Sequence, residues 1–229
     1  MSDSEIKARL LEAAAMHVPF DGWSEGAFQA SACDADVDIA VARAVCPRGA
    51  VDLALAFHAA GDAAMLERLA ATDLSEMRFR DRVAAAVRFR LEAALDKEMV
   101  RRGTALFALP HHSADGARAI WQTCDHIWTA LGDTSEDVNW YTKRATLSAV
   151  YGSTVLYWLG DQSAGDEATW AFLDRRIDNV MQIENVKAKA RESKILGPLI
   201  NGPLGQMVSH IRAPKGAASD LPGRWSRQS

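Results

Sequence analysis

Cysteine is scarce in this sequence. It occurs only at Cys33, Cys46 and Cys124, an odd count with no C-x-x-C spacing, which argues against a disulfide framework or a zinc site and reads as reduced thiols. Strand signals are lacking too: no β-branched run alternates apolar with polar residues between turns. No apolar run reaches about eighteen residues, so nothing reads as a helix crossing a bilayer. The opening stretch, MSDSEIKARLLEAA, carries acids early and no long apolar core, the pattern of neither a secretory signal nor an Arg-rich transit peptide. Catalytic signatures are missing as well. There is no G-x-S-x-G, no P-loop and no dinucleotide fingerprint. His111-His112 follows Pro110 in a turn, and His126 beside Asp125 has no second ligand at a metal-binding helical step. The expectation is a chain that is not an enzyme and holds no cofactor and no metal.

What remains is helix. The 229 residues are 48% hydrophobic and 24% charged with a net charge of −4, enough length and apolar content to bury a substantial core. Periodicity predicts a first helix from about Ser4 to Val18 stopped by Pro19, then short helices near Ser24–Cys33 and Val37–Val45, and a long one from Gly49 to roughly Thr72. One helix is expected over about Ser75–Arg102 and a short one over Thr104–Leu109. The next is expected to be capped by Ser113 and to carry Ile120, Trp121, Ile127 and Trp128. Thr134 and Asp137 have capping-box spacing, which places Trp140 and Tyr141 in the second turn of a helix reaching Leu159. A further helix, near Asp166–Ala190, carries Trp170, Leu173, Ile177, Val180 and Met181 as one stripe. The division this suggests is a helix-turn-helix-like part over 1–73, a bundle over 74–191, an amphipathic segment over 192–211 and a tail over 212–229.

Three stretches carry functional meaning. Three short helices ahead of a bundle are the layout of TetR-type regulators, yet seven acids face two bases between Asp21 and Asp62. DNA affinity rests largely on Lys and Arg releasing counterions, so this front end suits no nucleic acid. In DVNWYTKR, Trp140 and Tyr141 stand side by side among Asp137, Asn139, Lys143 and Arg144. Neighbours on a helix diverge by about 100°, so the rings cannot share one narrow core stripe; aromatic anchors ringed by charge suit a protein interface. Near the end, Ile195, Leu196, Leu199, Ile200, Leu204, Met207, Val208 and Ile211 recur at helical spacing behind the bases Lys187, Lys189, Arg191 and Lys194. That is the pattern of a helix lying on a membrane surface, or else of a last helix packed on its own bundle.

The runs GDTSEDVNWYTKRATLSAVY, TVLYWLGDQS and TWAFLDRRIDNVMQIENVK, with ALFALPHH upstream, resemble the Coq-nine family of ubiquinone-biosynthesis accessory proteins. The likeness is strong from about Ser75 to Lys187. It implies a TetR-like all-α fold whose DNA binding has been lost, a homodimer, and an apolar cavity for a lipid such as an isoprenoid quinone precursor. It also implies a terminal amphipathic helix that meets the membrane surface, and a partner, the demethoxyubiquinone hydroxylase. The family's docking patch carries over onto Asp137, Asn139, Trp140, Tyr141 and Arg144, with Lys143 in place of another base. Large side chains in the bundle helices, Phe107, Leu109, Trp121, Trp128, Tyr151 and Trp158, are the candidates for lining the cavity. The expected setting is the bacterial cytoplasm, peripheral on the inner membrane; the alternative function is a TetR-type ligand-responsive regulator.

Overall fold

Ser2 opens the first helix with a reciprocal capping box, its hydroxyl accepting from the Glu5 amide and the Glu5 carboxylate from the Ser2 amide. In this computed structural model, which describes residues 2–94, 96–192, 212 and 213, that helix is α1 (Asp3–Asp21). It is followed by α2 (Glu25–Asp34), α3 (Ile39–Val45), α4 (Ala50–Ala71), α5 (Phe79–Glu92), α6 (Lys97–Phe107), α7 (Ser113–Ala130), α8 (Val138–Gly160) and α9 (Glu167–Glu192), with a 3-10 turn at Ala164–Asp166 before the last. The described residues are helical with no strand, as the sequence predicts. The segment Ile195–Ile211 and the tail from residue 214 lie outside the described residues.

Five expected boundaries move. α1 runs through Pro19 to Asp21; Pro19 sits in the last turn, where Arg102 donates two hydrogen bonds, of 3.2 and 2.9 Å, to its carbonyl. The helix expected over Ser75–Arg102 is two helices, because Asp96 turns its carboxylate onto the Glu98 amide at 2.7 Å and starts α6 afresh. The piece expected at Thr104–Leu109 is the end of α6. Ser113 is the first residue of α7, not its cap, and its hydroxyl donates back to the Pro110 carbonyl. Asp137, not Thr134, caps α8, accepting from the Asn139 amide at 2.9 Å, so Trp140 and Tyr141 stand in the first turn.

Two apolar cores stack along the molecule. The first gathers Leu10, Ala14, Phe28 and Leu53 where α1–α3 meet the start of α4; the second gathers Met65, Val87, Leu91, Ile127, Leu147, Tyr151 and Leu173 from α4, α5, α7, α8 and α9. α4 feeds both, and Met99 of α6 joins the first, so packing runs across the expected division at residue 73.

Candidate functional site

α8 carries both candidate features. At its N-terminal turn Trp140 and Tyr141 meet edge to face, centroids 4.8 Å apart, and Trp121 of α7 lies 5.9 Å from the first ring and 6.5 Å from the second. All three rings are half-buried. Asp137 and Asn139 are exposed at the rim, bonded to one another. Lys143 donates to Asp133 and Ser135, both at 2.7 Å. Arg144 lies beneath the rings, not on the face: it is 2% exposed, donates to Asp125 at 2.6 Å and Asp133 at 3.0 Å, and its guanidinium sits 4.0 Å from the Trp140 centroid. Sequence reasoning missed Asp133, whose side chain is 1% exposed. Burial pushes its carboxyl up, but hydrogen bonds from Lys143, Ser135 and Arg144 outweigh this and hold it at about 2. The chain also returns to the patch: the Ala213 amide donates to the Glu136 carbonyl at 2.8 Å and the Tyr141 hydroxyl to the Arg212 carbonyl at 3.3 Å.

About three turns after Trp140, from Tyr151 onward, α8 becomes a cavity wall. Together with α4, α5, α6 and α7 it encloses about 500 Å³, lined by Phe57, Leu91, Met99, Ile120 and Val155 among others. Of the six expected lining residues, Phe107, Tyr151 and Trp158 are here. Leu109 is exposed in the turn after α6, Trp121 is drawn into the aromatic patch, and Trp128 stacks on Phe79 at a second pocket of about 300 Å³ between α5, α8 and α9. Trp121 and Trp128 share one face of α7 but lie seven residues, roughly 10 Å, apart along it, so one meets Trp140 and Tyr141 and the other Phe79. The α5–α6 break shapes the cavity, since Leu91 and Ala94 enter it before the break and Met99, Val100 and Gly103 after it.

Polar atoms enter the cavity at few places. His58, Arg90 and Tyr151 do so together, backed by buried Asp62, which accepts from Arg90 Nε at 2.6 Å and Thr123 Oγ1 at 2.9 Å. Burial, reinforced by the Arg90 charge, pushes the His58 imidazole down to about 4, and burial raises the Tyr151 phenol, so both are neutral at pH 7. Cys46 and Cys124 are buried and Cys33 exposed, all free thiols; burial lifts the Cys124 thiol to about 12, which makes it a poor nucleophile.

The COQ9 family profile matches residues 113–184, from α7 into α9. The mitochondrial ubiquinone biosynthesis protein COQ9 of Drosophila melanogaster is 33% identical over 184 residues, 78% of this chain and 56% of that protein. The Homo sapiens and Rattus norvegicus proteins of the same name are each 30% identical over 217 residues, 91% of this chain and 67% and 68% of theirs. The chain thus spans between about half and two thirds of these relatives' length. Among solved structures, a TetR transcriptional regulator from Nitrosomonas europaea superposes with a TM-score of 0.63 at 16% identity, over 76% of this chain and 97% of that one, which bears out the TetR-like all-α fold. The relatives' names correct the expected bacterial cytoplasm: they are named mitochondrial. Reduced thiols do not separate two reducing compartments, so cysteine usage held no discriminating signal there. On the strength of relatives matched across nine tenths of its length and of a fold that agrees with them, the chain belongs to the COQ9 family.

Proposed function

We propose that this chain works in ubiquinone biosynthesis at a mitochondrial membrane as a lipid-binding accessory protein. It holds a polyprenyl quinone precursor in the α4–α8 cavity and presents it to the demethoxyubiquinone hydroxylase docked on the Trp140–Tyr141 patch. The observation that carries this reading is that one helix bears both features. Trp140 and the cavity residue Tyr151 stand eleven places apart on α8, roughly 16 Å along its axis. A partner seated on the patch therefore lies about three helical turns from the cavity wall, on the same rigid helix. An apolar hollow shields a prenyl chain without covalent chemistry, so no catalytic role for this chain is needed.

Homodimerisation is part of the proposal. Tyr157 stacks on Phe172 at 4.4 Å and 10° across α8 and α9, with Leu156 63% exposed beside it, an apolar face suited to a second copy. The amphipathic segment Ile195–Ile211 would supply membrane contact. A regulator reading draws on the shared fold alone, and the acids Asp34, Asp36 and Asp38 ahead of α3 oppose a duplex.

Reconstitution on vesicles holding a prenylated demethoxyquinol tests the proposal. Adding this chain to the hydroxylase is expected to raise turnover, and Trp140→Ala is expected to remove that gain while keeping the thermal midpoint. Turnover by this chain alone, or a Trp140→Ala variant as effective as wild type, would overturn it.

A further inference from the structure

The cavity's polar groups are not scattered. Thr104, on the α6 wall, returns its hydroxyl to the Val100 carbonyl at 2.9 Å. That leaves a corner where α4, α5 and α8 meet, made by His58, Arg90 and Tyr151. Its charge is already balanced. Arg90 is paired with Asp62 at 2.6 Å and gives a second N–H to the His58 carbonyl at 2.9 Å. Gly61 makes room for this, since a Cβ there would stand 2.5 Å from Arg90 Nη1. Thr123 and His126 supply further contacts to Asp62.

The hydrogen bonds also fix the tautomer of His58. Its Nε2 lies 2.8 Å from Thr123 Oγ1 and 3.2 Å from the Ala119 carbonyl. A carbonyl only accepts, and the Thr123 proton goes to Asp62, so Nε2 carries the hydrogen and Nδ1 is the bare acceptor. Tyr151 is 3% exposed, and its hydroxyl has no hydrogen-bond partner among the described residues. The corner therefore offers one neutral acceptor and one neutral hydroxyl, with no unpaired charge.

Three kinds of lipid end can be compared there. A carboxylate or phosphate would bring a buried charge to a cation that is already paired. A bare hydrocarbon would leave the Tyr151 hydroxyl and the His58 acceptor dry. A neutral hydroxyl can donate to the imidazole and accept from the phenol. We infer that the His58–Arg90–Tyr151 corner is the head-group end of the cavity and selects an uncharged, hydroxyl-bearing ring on an apolar tail, a phenol in preference to an acid or a hydrocarbon. The assignment rests on the lipid-cavity reading above and adds to it the residues that receive the head group and the lipid ends they reject.

Tryptophan fluorescence of the full chain can be titrated at neutral pH with a farnesyl-substituted phenol, the matching farnesylbenzene and farnesoic acid. The phenol is expected to bind about tenfold tighter than either of the others. Tyr151→Phe, which deletes one oxygen and keeps the ring, is expected to bring the phenol to within about twofold of the hydrocarbon and to leave hydrocarbon binding unchanged. Acid bound as tightly as the phenol, or a tenfold preference that survives Tyr151→Phe, overturns the head-group assignment and leaves the lipid cavity standing. No binding of any of the three overturns both.

Discussion

Arg144 looks like a surface cation in the sequence and is a buried one in the structure. Asp125, Asp133 and the Trp140 carbonyl surround it, so it sets the floor on which the aromatic pair rests. Asp133→Asn should leave that guanidinium with one half-exposed carboxylate and cost about 2 kcal/mol, read as a lower urea midpoint at unchanged m-value. Arg144→Ala would disturb fold and patch together, which makes Trp140 the cleaner probe of docking. Asp133 was invisible in the sequence because it lies in the loop between α7 and α8, so helical periodicity does not tie it to Lys143 and Arg144. His58 belongs at the same scale. Its folded-state pKa of about 4 lies below the ordinary 6.5, so the unfolded chain binds the extra proton between those values. The stability tied to its neutral form is fully present above pH 6.5 and is lost as pH falls through 4. Denaturant melts at pH 7 and pH 4 should differ by about 3 kcal/mol from this residue, and His58→Gln should shrink that difference.

Among elements, the interval between α5 and α6 decides where the cavity forms. Periodicity read straight through it because Met77, Val83, Val87, Leu91 and Leu95 continue the apolar rhythm in the sequence, while a mid-run Asp96 is as compatible with a helix surface as with a cap. Only the fold shows its carboxylate on the Glu98 amide. Asp96→Ala should cost about 1 kcal/mol, measured as a fall in thermal midpoint, and should raise amide exchange in the first turn of α6. The α6–α7 approach is set by Gly116, where a Cβ would stand 2.6 Å from that of Phe107. Gly116→Ala should push α6 outward and destabilise by about 1–3 kcal/mol, with weaker lipid retention. The long helices α4 and α8 were legible to within a few residues, since apolar content and end signals agreed. The start of α8 was misplaced because Thr134 and Asp137 both satisfy cap chemistry, and the helix begins directly after the second.

Over the whole molecule, two cores share α4, and the TetR-like layout was legible from helix lengths and order before any comparison. The use of that layout was legible through charge. With seven acids against two bases over the front helices, titration with a DNA duplex at low salt should show no binding with a measurable salt slope. The cavity was only half legible: Phe107, Tyr151 and Trp158 were found by size and position, but His58 and Arg90 gave no signal because their partners come from other helices. Native mass spectrometry of the freshly purified full chain decides whether that hollow is a lipid site. The expected spectrum shows protein carrying an isoprenoid, released on activation and exchanged for added prenylated phenol. Bare protein throughout, with no adduct when the phenol is supplied, would contradict lipid binding and the function built on it.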